Sequence, residues 1–319
     1  MAKLKLAAYW AAGCGGCDTA ILDIHEKVLD VAAVADILFW PIAVDGKVKD
    51  VEALADKELD VTLLNGAIRS DENEHMAHLL RKKSKVLVAF GSCAHMGGIP
   101  GLANMFTREG IFERVYLDSV STPNPERTVP LTRSTVPEGE LSLPTLFNKV
   151  RTLDQVEDVD YFMPGCPPAP AQIWSVLSLI ASGRPLPPKG SVIGAENGTL
   201  CEGCKREKRE KKIAAFKRFA TSQPDPNQCF LEQGHLCMGL VTRAGCGHRC
   251  QSSGMGCRGC YGPPPGVLDQ GAKAISAIAS IVEASDEIEA ERVFAGLPDV
   301  LRSLNRFGIP ASLLGRSAR

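Results

Sequence analysis

Apolar residues gather in short runs at Leu4 to Tyr9, Asp36 to Val44, Asp60 to Leu64, Lys85 to Phe90 and Val159 to Met163. Each run has strand length, and several end in turn residues such as Asn65-Gly66 and Gly91. Between them, Thr19 to Val34, Glu72 to Lys83 and Ala169 to Ser182 place apolar residues at three-to-four spacing, which predicts helices. Strands alternating with helices predict a parallel sheet covered on both faces, hence an α/β unit with a flavodoxin-like strand order.

The pattern then changes. Ser121 to Leu143 carries Pro123, Pro125, Pro130 and Pro137 among Ser and Thr, and reads as a long irregular surface loop. Pro185, Pro187 and Pro188 mark a composition shift that divides the chain into residues 1–187 and 188–319. From Cys201 to Cys260 there is little periodicity, and apolar burial alone would not hold such a segment without bound metal. Helical patterning returns as a C-terminal tail at Leu268 to Ala284 and Glu287 to Leu304, and no internal repeat is present.

Charge alters this picture little: 36 Lys+Arg against 37 Asp+Glu leave a net charge of −1, which argues against a nucleic-acid partner. The run Lys205 to Lys212 mixes signs and reads as a solvated helix face, or as a docking patch for a redox partner. No secretory signal opens the sequence, and no apolar run approaches the roughly 20 residues of a membrane span. A cytoplasmic protein is therefore expected.

Composition brings in the chemistry through 12 cysteines, in a chain long enough to need no covalent staple. In a reducing compartment such thiols hold metal or carry redox chemistry. Cys14 and Cys17 lie in Ala-Gly-Cys-Gly-Gly-Cys-Asp, Cys93 in Phe-Gly-Ser-Cys-Ala, and Cys166 in Met-Pro-Gly-Cys-Pro-Pro. Each follows a predicted strand, so all four converge at the carboxyl edge of the sheet, in surroundings that suit a Cys₄ iron–sulfur cluster. Neither GxGxxG nor a P-loop is present, which weighs against a nucleotide cradle. Asp18 reads as the N-cap of the following helix, and Trp10, Trp40 and Trp174 read as core.

Spacing divides the other eight cysteines into Cys201, Cys204, Cys229 and Cys237, and Cys246, Cys250, Cys257 and Cys260. Short pairs closed by distant residues suit a cubane or a tetrahedral zinc equally. Two zinc ribbons in a scaffold or adaptor without redox activity are therefore the competing reading. The third set at the sheet edge favours iron, since a row of clusters serves electron transfer and a row of structural zincs does not. His235 and His248 lie beside these cysteines and are expected to support the site rather than ligate metal.

These motifs resemble the small, electron-transfer subunit of nickel–iron hydrogenases, whose proximal-cluster pattern of CxxC, GxC and GCPP matches Cys14, Cys17, Cys93 and Cys166. The related subunit of respiratory complex I has adjacent cysteines at the first position, where here they are spaced. Asp71-Glu-Asn73, Gly97-Gly-Ile-Pro-Gly101, Cys237-Met-Gly239, Cys257-Arg-Gly-Cys-Tyr-Gly262 and Asp269-Gln-Gly-Ala-Lys273 resemble in particular the cytoplasmic, methyl-viologen-reducing type associated with heterodisulfide reductase.

The resemblance implies three 4Fe-4S clusters: proximal on Cys14, Cys17, Cys93 and Cys166; medial on Cys246, Cys250, Cys257 and Cys260; distal on Cys201, Cys204, Cys229 and Cys237. It also implies a separate large subunit holding the nickel–iron centre, so that this chain carries no catalytic residue of its own. An electron-accepting iron–sulfur or flavoprotein subunit, such as a heterodisulfide reductase complex, would complete the assembly.

Overall fold

The computed structural model describes residues 3–209, 212–297 and 299–314. Ten strands occur among them: β1 (Leu4–Trp10), β2 (Ala35–Phe39), β3 (Leu59–Asn65), β4 (Ile68–Ser70), β5 (Ser84–Phe90), β6 (Arg133–Val136), β7 (Gly139–Ser142), β8 (Leu146–Arg151), β9 (Tyr161–Met163) and β10 (Ser191–Val192). Six form one all-parallel sheet in the order β10-β9-β5-β3-β1-β2. Counting only its own strands, the sheet runs 2-1-3-4-5-6, the expected flavodoxin-like winding with its crevice at the carboxyl edge. Its last strand comes from residues beyond 187.

Both faces are covered, which is why β3 and β5 read as continuous apolar runs. The N-terminal helices are α1 (Gly16–Leu22), α2 (Lys27–Val34), α3 (Val48–Ala53), α4 (Asp71–Lys83), α5 (Gly91–Met96), α6 (Arg108–Phe112) and α7 (Pro170–Ala181). On one face Met76, Ala77 and Leu80 of α4 pack with Leu64, Leu87 and Phe39; on the other Ile21 of α1 and Ile173 and Val176 of α7 pack with Val61, Val88 and Phe90. Ser70 caps α4 by accepting from the Asn73 amide at 3.2 Å. Acidic residues fill its first turn and Arg81, Lys82 and Lys83 its last, complementing the helix dipole.

The predicted elements shift in several places. The helix expected over Thr19 to Val34 breaks after Leu22, where His25 takes a positive φ of 58°. The strand expected to reach Val44 stops at Phe39, and the amides of Ala43 and Val44 both turn back onto the Trp40 carbonyl. The Pro-rich segment is not wholly irregular. It contains the β6–β7 hairpin, and β8 beyond it pairs antiparallel with β4. All four residues of β7 are exposed, so no alternation of apolar and polar positions announced it.

The cysteine-rich region has little regular structure beyond a one-turn 3₁₀ segment at Met238–Val241 and α8 (Arg249–Ser252). The helical tail forms α9 (Gln270–Ala279), α10 (Glu287–Phe294) and α11 (Val300–Leu304). It lies against that region, where Ala274, Ile278, Val293 and Leu304 share one apolar cluster with Leu200, Ile213, Phe216, Leu236 and Met238.

Candidate metal centre

Three loops at the carboxyl edge bring Cys14, Cys17, Cys93 and Cys166 together. Gly15, with φ of 79°, stands as the N-cap of α1 and lets the chain turn so that Cys17 enters the first helical turn. Cys93 lies in α5 directly after β5, and Cys166 follows β9. The backbone closes tightly on these sulfurs. A Cβ at Gly91 would fall 2.4 Å from Cys17 Sγ, and one at Gly98 would fall 2.4 Å from Cys93 Sγ. Cys93 is buried while Cys14 and Cys166 are exposed, so the site opens on one side.

Asp18 does not cap α1. It is buried, and its carboxylate accepts hydrogen bonds from Trp40 Nε1 at 2.8 Å and Asn65 Nδ2 at 2.9 Å. These partners arrive from the end of β3 and the turn after β2, so sequence distance hid them. Of the three tryptophans Trp40 is in the core, whereas Trp10 is 40% exposed and its ring flanks Gly13 and Gly15 of the cysteine loop.

The second set gathers Cys201, Cys204, Cys229 and Cys237 close enough that each of the others raises the Cys201 pKa. The charged run from Lys205 does not form the expected helix. Glu207 instead pairs with the segment before Cys229, donating its amide to Asn227 O and accepting from the Cys229 amide, both at 2.8 Å. The Arg206 guanidinium lies 3.7 Å over the Phe230 ring, and Lys208 Nζ donates to Cys201 O at 2.8 Å. Glu210 and Lys211 of that run lie outside the described residues. In the third set Cys260 lies near Cys250 and Cys246, and Cys250 near Cys246, while Cys257 faces Cys237 of the second set more strongly than it faces Cys260.

The neighbouring histidines have other partners. His248 Nε2 donates to Leu200 O at 2.9 Å, and His235 stands 3.2 Å from Ser222 Oγ and packs tilted against Phe219, ring centroids 4.4 Å apart.

Burial, then mutual repulsion, pushes these thiols upward: Cys93 and Cys201 to about 12, with Cys17 and Cys257 also well above the usual thiol range. Groups so shifted would stay protonated near neutral pH unless a cationic core drew off the protons, so the donor chemistry fits metal-bound thiolates. Among the described residues no three His, Cys, Asp or Glu side chains close around a point that a single metal ion could occupy. A tetrahedral zinc needs four sulfurs at about 2.3 Å from one point, whereas a cubane spreads its ligands over a larger core.

The sets adjoin one another. Cys260 lies against Cys166, and the Cys257 amide donates to Cys237 Sγ at 3.3 Å.

A family model described as the NADH ubiquinone oxidoreductase 20 Kd subunit matches residues 14–180. The iron-sulfur subunit of the F420-non-reducing hydrogenase of Archaeoglobus profundus is 40% identical over 320 residues, covering 98% of each chain. The chain belongs to this hydrogenase small-subunit family. The corresponding subunit of the F420-non-reducing hydrogenase of Methanothermobacter marburgensis is 38% identical over 98% of this chain and 96% of its own. Among solved structures, an NAD+-reducing NiFe hydrogenase in the H2-reduced state matches with a TM-score of 0.50 and 30% identity, covering 58% of this chain and 96% of that one. The NiFeSe hydrogenase of Desulfovibrio vulgaris Hildenborough shares the fold at a TM-score of 0.52 and 15% identity, over 83% of this chain and 95% of that one. Members of this family are subunits of hydrogenases, which are oxidoreductases. No helix among the described residues is long and apolar enough to cross a membrane.

Proposed function

We propose that this small subunit carries electrons from hydrogen oxidation in a separate nickel–iron large subunit to a second redox protein, through three 4Fe-4S clusters. Cys14, Cys17, Cys93 and Cys166 would hold the proximal cluster, Cys246, Cys250, Cys257 and Cys260 the medial one, and Cys201, Cys204, Cys229 and Cys237 the distal one. Each cluster supplies a one-electron couple, within a range of roughly −700 to +450 mV that the surrounding protein tunes. Two electrons from each hydrogen molecule would therefore leave singly, while both protons are released at the partner subunit. An iron–sulfur or flavoprotein subunit, such as a heterodisulfide reductase complex, is the proposed acceptor, and the cytoplasm the proposed location.

What supports this reading is that Cys14, Cys17, Cys93 and Cys166 gather at one sheet edge and the other thiols follow on from them, with Cys260 lying against Cys166 and the Cys257 amide donating to Cys237 Sγ at 3.3 Å. The residues of this chain have separable tasks in it. Gly91 and Gly98 let the backbone approach the proximal sulfurs, and the Cys257 amide donates to Cys237 Sγ. Such donors favour the thiolate form and stabilise an added electron. The exposed side of the proximal site, at Cys14 and Cys166, is the face offered to the large subunit.

The test is to make Cys93→Ser and Cys166→Ser in the complete hydrogenase. Both should abolish hydrogen-driven dye reduction while the low-temperature EPR signal of the distal cluster persists under chemical reduction. Dye reduction at the unmodified rate in either variant would refute the proximal assignment.

A further inference from the structure

We propose that the Cys257-x-x-Cys260 segment is a two-ended coupler between the ligand sets, and that Ser92 is its positioning residue at the proximal end. This rests on the assignment of clusters above and goes beyond it, because it concerns how the chain joins one set to the next.

At the distal end, the segment runs alongside residues 236–238. The Met238 amide donates to Cys257 O at 2.9 Å, and the Cys257 amide donates to Cys237 Sγ at 3.3 Å. Residue 256 has to be glycine for this approach, since a Cβ there would lie 2.1 Å from Leu236 O. Three residues later the chain has turned, with Gly259 at a φ of 96°, and Cys260 faces the opposite neighbour. Its sulfur lies against Cys166, a residue of the proximal set. One CxxC therefore touches both other sets, giving a hydrogen bond from the Cys257 amide to Cys237 Sγ and lying against Cys166 at Cys260.

The proximal contact is held from two sides. Buried Ser92 donates its hydroxyl to Cys260 O at 2.6 Å and its amide to Gly165 O at 2.7 Å, tying the Cys260 segment and the Cys166 loop to one residue. On the far side Tyr261 Oη donates to Gln172 Oε1 at 2.6 Å, and Gln172 Nε2 donates to Pro164 O at 3.0 Å. Ser92 and Gln172 thus brace the loop that carries Cys166 against the turn that carries Cys260.

An amide hydrogen bonded to a ligating sulfur stabilises the more negative, reduced state and shortens the non-bonded gap between the two ligand sets. In the step it serves, one electron is lost on the Cys166 side and gained on the Cys260 side, and no bond forms or breaks. Loosening the brace should lower the medial potential and weaken the magnetic interaction between proximal and medial sites, leaving the distal site unaffected.

The experiment is an EPR-monitored redox titration of the intact hydrogenase complex. For Ser92→Ala, the reduced-to-oxidised ratio of the medial signal at a fixed potential should fall about tenfold, which is 59 mV in a one-electron couple. Proximal–medial spin coupling should weaken, and the distal midpoint should stay fixed. Ser92→Thr, which keeps the hydroxyl, should restore the medial midpoint. Tyr261→Phe should move the medial midpoint in the same direction and decides the matter if Ser92→Ala does not fold. Three iron–sulfur signals with an unmoved medial midpoint and unchanged spin coupling in the folded variants would overturn the coupler while leaving the cluster assignment standing. A wild-type complex without those signals would overturn both.

Discussion

Arg81 Nη1 lies 2.6 Å from Asp160 Oδ2, and the carboxylate it meets has no solvent exposure. The same oxygen accepts from the Leu87 amide at 2.8 Å, and Lys189 Nζ reaches the other oxygen at 2.5 Å. One acid thus joins α4, β5, β9 and the approach to β10, fixing the far side of the sheet from the cysteine loops. Removing one partner of a buried pair leaves an uncompensated charge, which typically costs about 3–5 kcal/mol. Arg81→Met should therefore lower the unfolding free energy from urea titration, read by circular dichroism, by an amount up to that range, since Lys189 still meets the carboxylate.

The same acid sets a pH limb. Burial alone would raise the Asp160 pKa, but the hydrogen bonds from Arg81, Lys189 and the Leu87 amide outweigh it and hold the group below its ordinary value. Its contribution is present above the unfolded value of about 3.9 and is lost as pH falls through the lower folded value. Asp160→Asn should therefore flatten the acid side of a stability-against-pH curve below about pH 4. An unchanged acid limb would exclude the pair as its source.

Gly98→Ala should remove one cluster selectively. The added Cβ would occupy a point 2.4 Å from Cys93 Sγ and 2.8 Å from Cys93 Cα, and the positive φ of 57° adds strain. Iron per chain should fall by about a third, with the signals of the two C-terminal sets retained, as one of three equal clusters is lost.

The hairpin of β6 and β7 makes the opposite prediction. Its register runs from Arg133 opposite Ser142 to Val136 opposite Gly139, and Leu141 is 56% exposed. Replacing residues 133–142 with a short Gly-Ser loop should leave iron content unchanged and stability within about 0.5 kcal/mol, as for surface changes elsewhere.

The sequence made the central sheet legible where physics left a strong signal. β3 and β5 are buried on both faces and so appear as unbroken apolar runs, and the three cysteine loops follow from strand ends that share one edge. β10 has two residues in the sheet, too few for any period to register. Asp18 satisfied a local capping rule, yet its partners Trp40 and Asn65 come from the ends of other strands that only folding brings near. Gly91 and Gly98 stood beside cysteines in plain view, but the need for a missing Cβ arises from Cys17 Sγ and Cys93 Sγ approaching through space. Ser92 gave no signal, because its partner lies 168 residues away.

Metal content decides most directly between three clusters and a zinc-held scaffold. The protein purified without oxygen should contain about twelve iron atoms per chain on a three-cubane count, absorb visible light as a brown solution, and show EPR signals on reduction. A colourless protein holding stoichiometric zinc and no reducible iron would contradict the account.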